Sequence, residues 1–364
     1  MKLGIVGLPN VGKSTLFNAI TSAKAEVANY PFCTIEPNTG VAFVPDERLD
    51  VLNEMYGAKK LTRTAIEFVD IAGLVEGASQ GKGLGNRFLS HVREVDAIVH
   101  VVRCFVDDDV VHVGDGVYPA RDVETINTEL ILSDLEVLER RIEKTAKHLK
   151  ADAKYQKEFD FLQELRKFLN LGNAARSFVC SEEQADFLAA SHLLSAKPVL
   201  FAANFSEDEL RNGIDDNKYF KELCLIAKTE NATVVPISAK LEEEISQLLE
   251  EEKKFFSQDT NSRESGLETL IKASYSALGL ISFLTAGPQE VRAWPIRKGT
   301  SAQSAAGKIH SDMEKGFIKA EVINYSDLVA CGGITKAKEK GLVRLEGKSY
   351  VIRDGDVVLF RFNV

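Results

Sequence analysis

The sequence predicts an α/β protein with a mostly parallel sheet, an inserted helical arm and a smaller α+β domain at the C-terminus. Three observations predict this architecture. Continuous apolar strands alternate with helical stretches as far as Ala239, which is typical of a parallel sheet covered on both faces. A stretch of helical periodicity interrupts the strand series between Phe105 and Lys197. Short strands and an Asp-Gly turn then follow towards the C-terminus.

The predicted sheet has five apolar strands, and a helix directly follows the loop after the first strand. The strands are predicted at residues 2–7, 65–73, 96–105, 197–204 and 232–239, and the helix at residues 16–21. Since the strands are separated by helices, the fold class is that of a doubly covered parallel sheet.

The segment that interrupts the strand series is predicted to form an antiparallel helical coiled-coil arm. Apolar residues at 135, 138, 142, 146 and 149 have the spacing of a helical seam, which resumes after a polar break at 151–154. Ser181 and Gln184 form a potential capping box for a further helix. The alternative is that these are ordinary covering helices of a larger α/β domain. We therefore expect three domains: residues 1–110 with 197–277, the arm at 111–196, and residues 278–364.

The last domain is predicted to be a small β-grasp-like α+β unit. A strand is expected around 290–300 and a helix over 301–317, after which the stretch 318–328 follows. Residues 348–362 are expected to form a strand, an Asp-Gly turn and a last strand. The sequence leaves the strand pairing open.

Composition narrows the class of protein. The 364 residues are 45% hydrophobic and 27% charged, as in ordinary soluble globular proteins. The chain has no apolar run of membrane-spanning length, it begins directly with a strand, and its five cysteines are widely spaced. These features predict a cytoplasmic protein with reduced thiols and no membrane partner. Net charge is −9, but residues 278–364 carry 13 Lys+Arg against 9 Asp+Glu. This asymmetry is compatible with an RNA-facing module or with chance.

A phosphate-binding loop is the first functional motif. Residues Gly7 to Ser14, GLPNVGKS, match G-x-x-x-x-G-K-[ST] in full, between a predicted strand and a predicted helix. Gly7 and Gly12 let the backbone N–H groups point at a phosphate, and the helix N-terminus adds partial positive charge. Lys13 reaches the β- and γ-phosphates, and the Ser14 hydroxyl is a hard oxygen ligand for Mg²⁺. The motif predicts a Ras-like P-loop NTPase.

A second motif, D-x-x-G, ends the second predicted strand at Asp70 to Gly73. We expect Asp70 to hold Mg²⁺ through a water and the Gly73 N–H to contact the γ-phosphate. Thr34 is the expected switch threonine and second protein ligand to Mg²⁺, with Thr39 as the alternative. The glycine-rich stretch 77–85 would order around a γ-phosphate.

The group that activates water needs a separate candidate. Leu74 occupies the place where Ras-type GTPases have a glutamine that orients the attacking water, and leucine can neither orient nor deprotonate water. His112, after the third strand, is the candidate catalytic group; the alternative is an ordinary loop histidine. Asn10 would offer its side-chain oxygen to a K⁺ ion, which would neutralise charge in the transition state.

The segment that should read the base departs from the guanine pattern. Guanine readers have N-K-x-D, whose aspartate accepts from N1–H and the 2-amino group at once. Here the segment is NFSE, from Asn204 through Phe205 to Glu207. Adenine has an acceptor at N1 and a donor at N6. A carboxylate, which only accepts hydrogen bonds, therefore cannot pair with both positions as it does with guanine. Ser238 and Ala239 fit the loop that backs the base. We therefore expect ATP to be preferred over GTP.

Together these residues resemble the YchF family, the Obg-like ATPases within the translation-factor class of P-loop GTPases. The resemblance covers essentially the whole chain. It rests on GLPNVGKST, NYPFCTIEPN, DIAGL, RCF, the N-x-x-E base motif and IRDGDVVLFRF, the last of which is similar to a TGS domain. It implies an ATPase that binds the ribosome, chiefly the large subunit, and tunes translation, including under stress. The arm and the TGS-like domain would face ribosomal or transfer RNA.

The resemblance also implies roles for particular residues. It assigns His112 as the catalytic group, Ser14 and Thr34 to Mg²⁺, and the backbone of Phe205 to adenine. Thr39 departs from the aliphatic residue expected there. The resemblance also assigns phosphate binding to Asn10, Val11, Gly12, Lys13, Ser14 and Thr15.

Two other functions remain open on the sequence alone. Glu207 keeps a carboxylate, so an Obg-type GTPase is the first alternative. Leu74 favours very slow turnover, so the second is a nucleotide-gated scaffold for RNA or protein whose hydrolysis is incidental. β-Grasp domains often bind proteins, so protein partners are also open.

Overall fold

The structure is a computed structural model that describes residues 1–22, 38–72, 84–107, 116–248, 252 and 265–363. Internal contacts divide the chain into two compact units, Met1–Ala42 with Glu67–Ala273 and Phe43–Ile66 with Ser274–Val364. Residues 43–66, predicted to be part of the nucleotide-binding domain, belong to the second unit instead. The reason is apolar packing: Leu49 and Leu52 are fully buried in one cluster with Leu284 and Val291.

The first unit is built on a six-stranded sheet of order β2-β4-β1-β5-β6-β7. β1 pairs in parallel with β4 and β5, β5 with β6, and β6 with β7. Every residue of β5 and β6 is buried, so both faces of the sheet are covered. The predicted α/β class and its five strands are confirmed, and β2 is an addition. The strands are β1 (Lys2–Val6), β2 (Thr39–Phe43), β4 (Ala65–Asp70), β5 (Ala97–Arg103), β6 (Val199–Asn204) and β7 (Thr233–Ile237), with β3 (Leu61–Thr62) in the other sheet.

The helices of the first unit cover this sheet and form the inserted segment. The N-terminal helix directly follows the phosphate-binding loop, so that its N-terminus faces the carboxyl end of β1. The helices are α1 (Lys13–Ser22), α3 (Leu84–Glu94), α4 (Pro119–Ala151), α5 (Gln156–Asn170), α6 (Glu182–Ala189), α7 (Glu207–Asn212), α8 (Lys218–Thr229), α9 (Ala239–Ser246) and α10 (Gly266–Ala277); α2 (Glu47–Tyr56) belongs to the second unit. No helix within the described ranges is both long and apolar enough to cross a bilayer.

The insert contains two antiparallel helices, as the seam predicts. α4 and α5 are joined through a short 3₁₀ turn, Ala153–Tyr155. Leu138 and Ile142 of α4 pack with Phe161, Leu162 and Leu165 of α5 in one buried cluster. The capping box of Ser181 and Gln184 is present at the start of α6. The first part of α4 also packs against β5 and α8, so this long helix covers the sheet as well as forming the hairpin.

The second unit is a six-stranded mixed sheet of order β11-β10-β12-β8-β9-β3. β12 pairs antiparallel with β10 and parallel with β8, and β8 pairs antiparallel with β9. Alanines 302, 305 and 306 bury one helix against one face, while α2 packs against β8 and β9. The remaining elements are β8 (Leu280–Ala286), β9 (Val291–Arg297), α11 (Ala302–Ile309), α12 (Ser311–Lys315), β10 (Phe317–Asn324), α13 (Tyr325–Cys331), α14 (Ile334–Glu339), β11 (Arg344–Glu346) and β12 (Asp356–Phe362).

Two expectations for this unit are wrong. The helix predicted over 301–317 is two helices, because His310 leaves the helix and its Nδ1 accepts a hydrogen bond from the N–H of Asp312. The strand predicted before the Asp-Gly turn is reduced to an isolated bridge between Val351 and Ser301. β12 finds its partners elsewhere in the chain, so the turn at Gly355 does not close a hairpin.

Candidate functional site

The phosphate-binding loop connects β1 to α1, in the context that the motif predicts. Gly12 has φ +92, and the carbonyl of Gly12 accepts a hydrogen bond from the N–H of Leu16 at 2.9 Å. A Cβ atom on Gly7 would lie 2.8 Å from the carbonyl oxygen of Val101 in the neighbouring strand. Both glycines are therefore required by close backbone packing, while Asn10 adopts a left-handed φ of 62 that asparagine tolerates.

Lys13 and Asp70 meet at the carboxyl ends of two adjacent strands. The Lys13 Nζ donates to the carbonyl oxygen of Ile71 at 2.6 Å and lies 3.5 Å from Oδ1 of Asp70. This Oδ1 is buried and accepts no hydrogen bond from any described residue. Lys13 is thus at the end of the strand where the triphosphate is expected, with a carboxylate oxygen whose hydrogen-bonding capacity is unused.

The donor set at this position fits Mg²⁺. The unused Oδ1 of Asp70 and the exposed hydroxyl of Ser14 are hard oxygen donors, which Mg²⁺ prefers. In the part of the chain that the structure describes, no group of three or more His, Cys, Asp or Glu residues could hold a metal ion.

Three predicted site residues lie outside the described residues, namely Thr34, Gly73 and His112. Their roles as Mg²⁺ ligand, γ-phosphate contact and catalytic group stay predictions, as does the effect of Leu74. The alternative switch threonine, Thr39, is buried in the first position of β2.

Asn204 joins the base-reading segment to the phosphate-binding loop. Its Nδ2 donates to the carbonyl oxygen of Val11, and its Oδ1 accepts from the N–H of Ala239, each at 2.9 Å. Both bonds are buried. The amide therefore holds three segments together, and its hydrogen-bonding atoms are directed at the protein backbone.

The residues after Asn204 begin helix α7. The N–H of Phe205 donates to the carbonyl oxygen of Ile237 at 2.8 Å, and the Phe205 ring is buried edge-on against Phe220. Ser206 caps α7 in a capping box with Glu209. Glu207 is the first residue of this helix, and its carboxylate binds Nη2 of Arg211 at 2.7 Å.

The loop predicted to back the base lies directly beside Asn204. Ala239 begins α9 and is buried, and Ser238 precedes it. The Ser238 hydroxyl is buried and has no hydrogen-bond partner within the described ranges. The structure therefore brings together the phosphate-binding loop, the base-reading segment and the Ser238–Ala239 loop, as predicted from their separate motifs.

Comparison with known proteins gives the same assignment over the full length. Residues 2–147 match a family model described as a 50S ribosome-binding GTPase, and residues 280–363 match the YchF GTPase C-terminal model, described as a protein of unknown function. The chain is 55% identical to the ribosome-binding ATPase YchF of Bacillus subtilis (strain 168), over 99% of each chain. The chain belongs to the YchF family.

Other members support this assignment. The protein of Escherichia coli O157:H7 with the same name is 48% identical over 100% of this chain and 99% of that protein. The solved structure of the Schizosaccharomyces pombe YchF GTPase has a TM-score of 0.89 and 38% identity, covering 99% of this chain and 97% of the other. The resemblance read from the motifs is therefore confirmed, together with the fold class.

Within this YchF-family chain, Arg103 is a site-proximal residue whose contacts sequence reasoning missed. It ends β5 and is almost completely buried. Its Nε donates to the carbonyl oxygen of Phe105 at 3.0 Å, and its Nη2 donates to that of Asp107 at 3.1 Å. Arg103 thereby shapes the backbone that leaves the sheet beside the nucleotide site. In the sequence, Arg103 is marked only as the first residue of the RCF motif.

Cys104 follows Arg103 and is a buried thiol. Burial raises the pKa of that thiol well above the usual value. Its backbone connects neighbouring elements: the Cys104 N–H donates to the carbonyl oxygen of Asn204 at 2.8 Å.

Proposed function

We propose that this protein is an ATP-hydrolysing switch with Mg²⁺ as cofactor, which binds the ribosome, chiefly its large subunit, and tunes translation. One observation carries the nucleotide half: the Asn204 amide ties a base-reading segment that ends in Glu207 to an intact phosphate-binding loop. The curated relatives named above are called ribosome-binding ATPases, which supports both halves. A link to stress and a cytoplasmic location are part of the same proposal.

The protein side of phosphate binding follows from charge and geometry. Lys13, released from the carbonyl of Ile71, reaches the β- and γ-phosphates, and the N-terminus of α1 points backbone N–H groups at them. Ser14 and Asp70, with Thr34, would hold Mg²⁺, which neutralises phosphate charge when bound. His112 is the proposed catalytic group, the Gly73 N–H the proposed γ-phosphate contact, and Asn10 the proposed K⁺ ligand.

The position of Glu207 supports the proposed preference for ATP. The carboxylate that would accept from the N1–H and 2-amino groups of guanine is instead bound to Arg211 on the same helix. Phe205 supplies backbone atoms beside the base in place of a lysine stem. The Phe205 N–H is already bonded to the carbonyl oxygen of Ile237, which leaves the Phe205 carbonyl to accept from the N6 amino group of adenine, a contact that needs no carboxylate.

Steady-state phosphate release with ATP and with GTP tests the enzymatic half. We expect slow, Mg²⁺-dependent turnover that is faster with ATP, and its loss in Lys13→Ala, because this variant removes the cation that binds the phosphates. Lys150→Ala, an exposed lysine of α4, serves as the matched control and should keep wild-type turnover. Turnover that survives in Lys13→Ala would place the activity elsewhere or in a contaminant.

The hairpin of α4 and α5 is the surface that best fits a ribosomal partner. Between residues 140 and 157 the chain carries seven Lys+Arg against two Asp+Glu, although the whole chain is acidic. Lys144, Lys147 and Lys150 recur every third residue on α4, and all three are exposed. A cationic helix end of this kind suits the phosphate backbone of RNA. The C-terminal unit is the second proposed contact, for RNA or for a protein.

Co-sedimentation with ribosomes over a range of salt concentrations tests this surface. The triple variant Lys144→Ala, Lys147→Ala, Lys150→Ala should bind more weakly and lower the slope of log K against log[salt] by about 2, because each phosphate contact contributes about 0.7–0.9. The triple variant Lys218→Ala, Lys221→Ala, Lys228→Ala on α8 is the control. Equal effects of both triples would mean that net charge alone governs binding.

An Obg-type GTPase is the second candidate, because Glu207 retains a carboxylate and the model matching residues 2–147 is described as a GTPase. Higher turnover with GTP would favour it. A nucleotide-gated scaffold is favoured instead if ribosome binding follows ATP occupancy while Lys13→Ala changes turnover alone.

A further inference from the structure

Asn217 precedes helix α8 and bonds to three separate parts of the first unit. It is the N-cap of α8, where its Oδ1 accepts from the N–H groups of Tyr219 at 2.9 Å and Phe220 at 3.0 Å. Its Nδ2 donates to the carbonyl oxygen of Cys104 at 3.0 Å and lies 3.4 Å from Oε1 of Glu209. One amide thus connects α8, the end of β5 and helix α7.

Each of these bonds leads to the base-reading segment through a single further residue. The Cys104 N–H donates to the carbonyl oxygen of Asn204 at 2.8 Å. The Phe220 ring packs edge-on against Phe205, with ring centroids 5.6 Å apart. The Glu209 carboxylate accepts from the Ser206 hydroxyl at 3.0 Å. Three consecutive residues, 204 to 206, are therefore linked to one side chain.

We propose that Asn217 is a positioning residue for purine recognition, which sets the place of the backbone of residues 204–206 against the base. The inference rests on the proposed function, in which this segment reads adenine largely through its backbone. Backbone donors and acceptors cannot adjust by changing rotamer. Their placement therefore depends on the residues that pack against and bond to the segment. Asn217 makes no direct bond to the phosphate-binding loop among the contacts described above, so we expect its effect on the base to exceed its effect on the phosphates.

The substitution Asn217→Asp tests the positioning role while keeping the N-cap that helix α8 needs to fold. Aspartate keeps the oxygen that caps α8, because aspartate is as good an N-cap as asparagine. It lacks the donor to Cys104, and it brings a carboxylate close to that of Glu209. Asn217→Ser, which keeps a cap oxygen and adds no charge, is the second variant in case the first does not fold.

The measurement is calorimetric titration of each variant with Mg·ATP, Mg·GTP and inorganic tripolyphosphate, together with KM and kcat for ATP. We expect ATP affinity to fall at least tenfold, ~1.4 kcal/mol, and the ATP-to-GTP affinity ratio to fall with it. KM should rise while kcat is unchanged. Tripolyphosphate affinity should stay at the wild-type value, because this probe binds the phosphate loop alone.

Asn324→Asp is the matched control. Asn324 is also an N-cap, of α13 in the second unit, and its Oδ1 accepts from the N–H of Ser326 at 2.9 Å. The same exchange there should alter neither nucleotide nor tripolyphosphate affinity.

The outcomes separate this inference from the proposed function. If both Asn217 variants fold and bind ATP as the wild type does, or lose ATP and tripolyphosphate affinity equally, the positioning role is refuted. If the wild type itself binds ATP no better than tripolyphosphate, the base-reading function fails, and the positioning role fails with it.

Discussion

Gly12 shows at the scale of a single residue how the phosphate loop and the base-reading strand depend on each other. Its φ of +92 already disfavours any side chain. A Cβ atom at this position would also lie 2.3 Å from Nδ2 of Asn204. Since that amide holds Val11 and Ala239, a methyl group on Gly12 disturbs three segments at once.

Gly12→Ala should therefore lower ATP affinity at least 100-fold, about 2.7 kcal/mol, as measured by titration calorimetry. Gly57→Ala is the matched control, because Gly57 has φ +56 and nothing within 4 Å of its ideal Cβ. That variant carries backbone strain without a collision, so it should lose stability and keep ATP affinity. Wild-type affinity in Gly12→Ala would contradict the packing described here.

His100 gives the protein a specific sensitivity to acid. It is completely buried in β5, and burial, helped by the positive charge of Arg176, lowers its pKa from 6.5 to about 3. The unfolded chain takes up this proton below pH 6.5 while the folded chain does not. Neutral His100 therefore makes its full contribution to the free energy of unfolding above pH 6.5. Between pH 6.5 and about 3 this contribution falls by about 1.4 kcal/mol per pH unit.

Urea unfolding at pH 7, 6 and 5 measures this loss. His100→Leu should flatten the decline in unfolding free energy between pH 6.5 and 5, whatever its stability at pH 7. His148→Leu, at an exposed position of α4, should decline as the wild type does. A decline in His100→Leu as steep as in the wild type would assign the acid sensitivity to other groups.

Individual site residues were predictable where their chemistry is local in sequence. Lys13 and Ser14 stand within one contiguous motif, and Asp70 within another. Asn204 was predicted as a base reader, but its bonds to Val11 and Ala239 span long stretches of chain. Asn217 gave no signal at all, since its partner Cys104 is 113 residues away.

At the scale of elements, the hairpin of α4 and α5 is held by an apolar seam, to which Arg141 adds a polar crosslink. Arg141 donates to Glu158 at 2.7 Å, to the carbonyl oxygen of Ala190 at 2.8 Å and to the Ser191 hydroxyl at 3.0 Å. It therefore joins α4 both to α5 and to the turn after α6.

Arg141→Ala should reduce the free energy of unfolding by about 1–3 kcal/mol, because several partly buried acceptors lose a charged donor. Chemical denaturation of the full chain is the measurement. The neighbouring Arg140 is the control, because it is 80% exposed and pairs with Glu136 one turn away. Arg140→Ala should stay within about 0.5 kcal/mol of the wild type. Equal losses in both variants would contradict the crosslink.

Helices and strands were predictable where their hydrophobic pattern continues over a long stretch of sequence. The seam of α4 extends over many turns, so the hairpin and its turn were found. The stretch 301–317 has an unbroken helical composition, yet His310 interrupts it with extended backbone and a cap for α12. The Asp-Gly dipeptide predicted a hairpin, but distant strands outcompete the preceding segment for the edges of β12.

At the scale of the whole molecule, the second unit is assembled from two distant parts of the chain. Leu49 and Leu52 of α2 are buried with Leu284 and Val291. Arg48 adds a hydrogen bond to Asp354 at 2.7 Å, in the turn before β12. No local pattern predicts these contacts. The three domains, 1–110 with 197–277, 111–196 and 278–364, stay a prediction, and residues 43–66 belong to the second unit.

A chain ending at residue 277 should therefore fail as a clean nucleotide-binding module. It would leave Leu49 and Leu52 without their apolar partners, so we expect binding of a hydrophobic dye and self-association in sedimentation velocity. The same truncation with Leu49→Ser and Leu52→Ser is the control and should associate less. A truncated chain that stays monomeric without dye binding would show that residues 43–66 do not depend on the C-terminal strands.

Competition between ATP and GTP, measured by calorimetry in Mg²⁺ and K⁺, tests the central claim most directly. The arrangement of Asn204, Phe205 and Glu207 predicts that ATP binds at least tenfold more tightly, ~1.4 kcal/mol. GTP binding as tightly or more tightly would mean that Glu207 leaves Arg211 to perform the work of the usual aspartate. The protein would then be an Obg-type GTPase.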